Sequence, residues 1–251
     1  MKVAALYDIH GNLPALEAVL QELDVIQPDR ILVGGDSVFG PLPRATLERL
    51  LSLGEKALFI RGNCEREAVA AFDDLPLDPS LPEEIRAVTI WSAKQLEHSH
   101  RDFLAGLQEQ VTLNIDGVGE VLFCHGSPRS DEEIITSATP TARLEEMLAD
   151  VKQSVVVCGH THMQFDRMIN GVRVVNAGSV GMPYGEAGAY WLLLGPEIVL
   201  RRTPYDLEQA AARIRSSGYP SAQDFADNNV LHPPTEAEAI EVFERMATKR
   251  S

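Results

Sequence analysis

Five short segments of this 251-residue chain combine imidazole, carboxylate or amide side chains with glycine. They are Asp8-Ile9-His10, Gly35-Asp36, Gly62-Asn63, His125-Gly126 and Gly159-His160-Thr161-His162, and they hold four of the seven histidines. These donor types ligate Zn²⁺, Mn²⁺, Fe or Ni²⁺, and the set Asp8, His10, Asp36, Asn63, His125, His160 and His162 exceeds what one ion requires. Two ions sharing one carboxylate would account for all seven. Singly, each residue has a structural explanation. Asp8 can terminate a strand, Asn63 can cap a helix, and His125 can sit half-buried with its hydrogen bonds satisfied. Their conjunction is what points to metal chemistry.

The elements around these segments fit that reading. Lys2–Tyr7, Arg30–Val33 and Ala57–Ile60 read as strands, each ending just before one of the segments. Leu13, Leu16, Leu20 and Leu23 mark a helical stripe with Pro14 in its first turn; Pro43, Leu47, Leu50 and Leu51 mark a second, closed by Gly54. This βαβαβ rhythm predicts parallel pairing, with functional residues at the carboxyl ends of the strands. Residues 73–82 read as a Pro- and Asp-rich loop, and 83–109 as a helix with Trp91 and Leu96 inward. The second half reads as hairpins turning at Asp116-Gly117, at Asn170-Gly171 and at 195–197, with a helix over 139–148 between the first two. The first two turns fit type I′, which needs positive φ at both central residues. Two further helices, over 206–216 and 235–248, flank an irregular segment. The whole reads as one domain with two sheets.

Composition narrows the function. Hydrophobic residues make up 45% and charged residues 24%, which excludes a disordered chain. The 22 Lys and Arg against 37 Asp and Glu leave a formal net charge of −15, the wrong sign for a nucleic-acid duplex or an anionic membrane. No apolar run reaches the roughly 18 residues of a membrane helix, and the first residues do not read as a targeting segment. Cys64, Cys124 and Cys158 lack paired spacing, which argues against a disulfide framework or a thiolate zinc site. The expected compartment is the cytoplasm.

The segments DIHGN, GGD, RGNCE, FCHGSP and GHTH, in that order, resemble the calcineurin-like metallophosphoesterase superfamily, and NAGSVGMP resembles its closing loop. The likeness runs from Lys2 to about Arg202 and is nearest to compact bacterial and archaeal phosphoesterases. It implies an α/β fold, a four-layer α/β/β/α sandwich of two mixed sheets, over residues 1–251. A helical cap at about 73–109 and a helical tail at about 205–251 would complete it. By resemblance, Asp8, His10 and His162 would bind a first metal, Asn63, His125 and His160 a second, and Asp36 would bridge them. Asp36, Asn63 and His160 would be central to catalysis. The cofactors implied are two divalent ions, Mn²⁺ foremost, with Fe, Zn, Ni or Co as alternatives. A bridging carboxylate would hold them roughly 3.5–4 Å apart around a shared hydroxide that attacks phosphorus in line. The substrate implied is a small phosphodiester or phosphoanhydride, such as a nucleotide. A phosphomonoesterase, or a non-catalytic binding protein on the same scaffold, stays open as an alternative; a binuclear amidohydrolase fits poorly with the closing hairpins.

One departure bears on substrate choice. Many relatives carry His after the Gly-Asn pair, whereas this chain has Cys64, a poor acid at neutral pH. Good leaving groups are therefore expected. Glu65 is an alternative proton donor, though it reads better as an exposed first-turn residue favoured by the helix dipole. Arg61, Arg66 and Arg129 are candidates for a bidentate phosphate clamp, with pairing to acids as the competing reading. Asn12 is a candidate substrate or supporting residue. Ser179 and Tyr184 are placed at the pocket border, Cys124 and Cys158 in the core, and His98, His100 and His232 in solvent.

Overall fold

The computed structural model describes residues 1–249. The first sheet is built on three parallel strands, β1 (Val3–Leu6), β2 (Arg30–Val33) and β3 (Ala57–Phe59). Helix α1 (Leu13–Ile26) joins β1 to β2, and α2 (Pro43–Leu51) with one 3-10 turn joins β2 to β3. After β3 come α3 (Asn63–Phe72), α4 (Glu83–Lys94) and α5 (His98–Ala105). The helix expected over 83–109 is thus two helices, broken at 95–97.

The second half supplies β4 (Gln110–Ile115), β5 (Gly119–Cys124), α6 (Thr141–Met147), β6 (Val155–Cys158), β7 (Phe165–Ile169) and β8 (Val172–Asn176). Strands β9 (Ala189–Leu194) and β10 (Ile198–Thr203) then return to the first sheet. The orders are β10-β9-β1-β2-β3 and β4-β5-β6-β8-β7. Both sheets are mixed: β1–β2–β3 and β5–β6–β8 are parallel runs, flanked by antiparallel strands. The chain closes with α7 (Leu207–Arg215), α8 (Ala222–Phe225), a π turn at Ala226–Leu231 and α9 (Glu236–Lys249). The stretch read as irregular therefore contains α8 and the π turn. Among the described residues no helix is long and apolar enough to cross a membrane.

Strand alternation separates the layers. On β1, Val3 and Ala5, continued by Tyr7, face the second sheet and meet Val121, Phe123, Val155, Val157 and Val175. Ala4 and Leu6 face the other way, against Leu13, Leu16, Val19, Leu20 and Leu23 of α1. On the far side of the second sheet, Leu122, Cys124, Val156, Cys158 and Val174 pack against Leu144 and Met147 of α6. Cys124 and Cys158 are core residues, 1% and 0% exposed. The layer sequence is α/β/β/α, and each fully buried Leu or Val contributes about 1.5–3 kcal/mol. With both sheet faces covered in this way, the strand ends are left for chemistry.

The two turns expected to match do not. Asn170 (φ 48°) and Gly171 (φ 89°) form the two-residue I′ link between Ile169 and Val172. At Asp116-Gly117 only Gly117 has positive φ (79°), and Ile115 pairs with Gly119, so the loop has one more residue, Val118.

Candidate metal centre

Strands β1, β2, β3, β5 and β6 run out at their carboxyl ends into the segments holding Asp8, Asp36, Asn63, His125 and His160. Five residues here have left-handed backbones: Asp8 (φ 53°), His10 (φ 48°), Asp36 (φ 54°), His160 (φ 65°) and His162 (φ 61°). For L-residues this conformation costs on the order of 1–3 kcal/mol each and persists only where the surroundings impose it. The loops interlock to do so. Asp8 N–H donates to Gly35 O (3.1 Å), His10 N–H to Asp36 O (2.8 Å), Gly11 N–H to Ser37 O (3.0 Å) and Gly181 N–H to Asp8 O (3.0 Å). Strain concentrated in this way turns five side chains toward one point.

The side chains converge. Asp8 Oδ2 accepts from His160 N–H (2.9 Å), while Asp8 Oδ1 is buried without a hydrogen-bond partner. Around that oxygen stand His162 Nε2 at 3.4 Å and His10 Nε2 and His125 Nε2 at 3.9 Å. His10 and His162 place their Nε2 atoms 3.0 Å apart. Asp36 divides its carboxylate, Oδ2 lying 3.8 Å from His10 Nε2 and Oδ1 3.4 Å from His125 Nε2. Asn63 Oδ1 is 3.2 Å from His125 Nε2. Backbone carbonyls take the other nitrogens: His125 Nδ1 is 2.9 Å from Gly34 O and His162 Nδ1 is 2.8 Å from Met182 O. With the proton on Nδ1, Nε2 is left as a lone-pair donor. Ligand atoms of Asp8, His10 and His162 lie within 4.8 Å of one another, as do those of Asp36, His125 and His160. An unpartnered buried carboxylate oxygen ringed by imidazole nitrogens is what a divalent cation fits.

Protonation agrees with the donor set. Burial pushes both carboxyls up, but facing imidazoles outweigh it: His162 lowers Asp8, and His125 lowers Asp36 well below the ordinary range. Burial also brings His10 and His160 down to about 4, helped by His162 and His125 respectively, so both are neutral ligand forms at neutral pH. His125 is the exception. Burial lowers it, yet Asp36 and then Asp8 raise it to about 10. Cation uptake is therefore expected to expel a proton from His125, and apparent affinity should rise with pH, by up to about tenfold per unit below that value. Calorimetry in buffers of different ionisation enthalpy checks this; uptake at neutral pH without proton release would contradict it.

Several residues play parts other than those expected. Glu65 is 1% exposed rather than solvated. Its carboxylate accepts from Asp36 N–H (2.7 Å), Ser37 N–H (2.7 Å), Ser37 Oγ–H (2.8 Å) and Gly62 N–H (2.9 Å). It ties the Asp36 loop to the start of α3, where Gly62 is the cap and Asn63 the first helical residue. Burial and Asp36 raise its pKa, partly offset by these bonds. Gly62 permits the approach, since a Cβ there would lie 2.3 Å from Asp36 Oδ1.

Asn12 is fully buried. Its Oδ1 caps α1 through Ala15 N–H (3.2 Å), and its Nδ2 donates to Gly181 O (2.9 Å), so it holds two loops together and is not open to a substrate. Arg129 pairs with Glu133 and donates to Glu146 O (3.3 Å) on α6. Arg61 pairs with Glu109, and Arg66 with Asp131 and Glu132; the acid-pairing reading describes all three arginines. His100 is buried, not solvated, accepting Glu97 N–H at Nδ1 (3.2 Å) to cap α5. Cys64 is 7% exposed, and its thiol donates to Asp36 Oδ2 (3.0 Å). Burial, then Asp36, pushes the thiol well above its ordinary pKa. Two residues went unnoticed in the sequence. Phe39 sets its edge on the His10 ring (centroids 5.7 Å), and Glu67, buried beside Asn63, is raised to about 7 by burial and then Asp36.

Comparison with known proteins agrees with this geometry. The calcineurin-like phosphoesterase superfamily domain matches residues 1–195. The chain belongs to the calcineurin-like phosphoesterase superfamily. An uncharacterized protein of Methanocaldococcus jannaschii, MJ0912, is 26% identical over 246 residues, covering 87% of this chain and 93% of that protein. The crystal structure of a metallophosphoesterase from Sphaerobacter thermophilus superposes with a TM-score of 0.70 at 25% identity, covering 92% of this chain and 99% of that one. The hypothetical protein PH1004 of Pyrococcus horikoshii shares the fold, with a TM-score of 0.77 at 23% identity over 93% of this chain and 99% of that one. As in other members of the superfamily, divalent cations are the groups for which such a donor set is built.

Proposed function

We propose that this chain is a dinuclear metal-dependent phosphoesterase acting on the diester or anhydride bonds of small phosphorylated substrates, nucleotides among them. The observation that carries the reading is the division of Asp36, with Oδ2 toward His10 and Oδ1 toward His125. One carboxylate between two groups of donors suits two ions rather than one. Asp8, His10 and His162 would hold one ion and Asn63, His125 and His160 the other, with Asp36 shared. When bound, the ions supply a localised positive charge for a phosphoryl group and lower the pKa of a shared water. The protein's own contribution is rigidity: the left-handed loops and the Glu65 tie hold the donors before any substrate arrives, so little reorganisation accompanies reaction. Mn²⁺ is the ion we favour, and Fe, Zn, Ni and Co are compatible with the same oxygen and imidazole donors.

The chain offers no imidazole acid after Gly62-Asn63, and the Cys64 thiol is engaged by Asp36. Leaving groups that depart without a proton are favoured, which supports aryl diesters and anhydrides over alkyl esters. Cys64→His should raise the monoester-to-diester rate ratio by about 10²-fold; an unchanged ratio would remove Cys64 from the account of specificity. The direct assay compares Mn²⁺-loaded protein on aryl mono- and diesters with metal analysis of the same sample. Two equivalents and diester hydrolysis are expected; fewer than two with no hydrolysis would favour a binding protein on this scaffold.

A further inference from the structure

Protic side chains around the cluster are nearly all engaged by the protein. The Cys64 thiol donates to Asp36, Ser37 Oγ to Glu65, Ser179 Oγ to Asp8 O (2.7 Å) and Thr161 Oγ1 to Ile135 O (2.8 Å). Tyr184 is different. Its ring lies nearly parallel to the His162 ring (centroids 5.9 Å, 25°), within electrostatic reach of the Asp8 carboxylate. It is half-buried, and its hydroxyl makes no hydrogen bond among the described residues. Phe243 of α9 also packs on it, edge-on with centroids 6.0 Å apart, and the next residue is fixed by Gly185 N–H donating to Pro234 O (2.8 Å). Helix α9 is itself anchored, Glu244 accepting from Thr136 Oγ1 and Thr139 Oγ1 (2.7 Å each). Tyr219 also has a hydroxyl without a partner among the described residues, but it is 6% exposed and packed between Trp91 and Phe225. A donor held rigidly against a buried acidic cluster, facing no acceptor of the protein, is a donor for a ligand.

We infer that Tyr184, held in place by the C-terminal helix α9 through Phe243, donates a hydrogen bond to a non-bridging oxygen of the bound phosphoryl group. This rests on the phosphoesterase reading for the identity of the ligand. It gives α9 a part in the site: the helix sets the direction of a substrate-contacting phenol without itself touching substrate. Such a bond forms in the ground state as well as the transition state, so its loss shows in KM more than in kcat.

The test uses the full-length Mn²⁺-loaded protein, with inorganic phosphate as probe. Tyr184→Phe keeps the ring on His162 and deletes only the donor. Its metal equivalents should match the parent's, while phosphate affinity measured by calorimetry falls by about tenfold. KM for an aryl diester should rise by a similar factor with kcat within about twofold. Phe243→Ala, which removes the ring packed on Tyr184, should give a smaller loss of the same kind that does not add to that of Tyr184→Phe. Phosphate affinity in Tyr184→Phe within about twofold of the parent overturns the inference, as does a loaded parent that binds no phosphate. A parent that binds phosphate but hydrolyses no ester would refute the enzymatic reading alone; a tenfold loss in Tyr184→Phe would then still support the phenol as an anion donor.

Discussion

Asp36→Asn is expected to lower kcat/KM for an aryl diester by about 10³-fold and to leave the protein with fewer than two equivalents of metal. Asparagine keeps the shape of the side chain and one acceptor oxygen, so the packing against Gly62 survives and the effect reads the charge together with one hydrogen bond from Cys64. Removing that charge does two things. It takes away the oxygen pair that faces His10 on one side and His125 on the other. It also releases His125 from the carboxylate that does most to hold its proton. Two dications a few ångströms apart would repel strongly in a buried site, and under the proposed reading a shared carboxylate would offset that repulsion. Metal analysis of the purified variant, beside steady-state kinetics, checks both parts. A variant retaining two equivalents and parental kcat/KM would show that Asp36 is not shared.

Glu65→Ala is expected to be the most destabilising single change near the centre. It strips the acceptor from four donors at once, three of them backbone N–H groups, and leaves Cys64 alone, among the described residues, to join the Asp36 loop to the start of α3 by hydrogen bonds. Buried donors without partners cost about 1–3 kcal/mol each, and partial relaxation should leave a net loss of about 3–5 kcal/mol. For a protein of this size that is a fall in Tm of about 10 °C. Glu65→Gln keeps one acceptor oxygen and should lose roughly half as much. Thermal unfolding of the three proteins without added metal measures this; a shift in Glu65→Ala of under about 2 °C would mean that the loops hold Asp36 unaided.

What could be read before the structure followed from short-range rules. Apolar runs that stop at Asp8, Gly35, Gly62 and His125 announce buried strands ending in loops, and side-chain period two assigns Val3 and Ala5 to one face and Ala4 and Leu6 to the other. The donor types in those loops follow from the same reading, because imidazole and carboxylate gathered at strand ends have few structural uses. What escaped depended on which partner each side chain meets once the loops fold together. Glu65 sits where a first-turn glutamate is normally exposed, and only the Asp36 loop folding over it makes it an internal acceptor. Its position three residues beyond the Gly62 cap was the available signal. His100 is buried because the same kind of cap turns it inward. Of the two readings that the sequence allows for Asn12 and for Arg129, the structure matches the supporting one, with Gly181 and Glu133 as partners. The Asp116-Gly117 turn failed for a local reason: Gly119 also adopts positive φ, which lets the strand pairing begin one residue later than the dipeptide suggests.

The most direct trial of the two-cation centre is anomalous scattering from crystals of the Mn²⁺-loaded protein. Two peaks are predicted on either side of the Asp36 carboxylate, one among Asp8, His10 and His162 and the other among Asn63, His125 and His160. A single peak, or peaks that do not share Asp36, would contradict it.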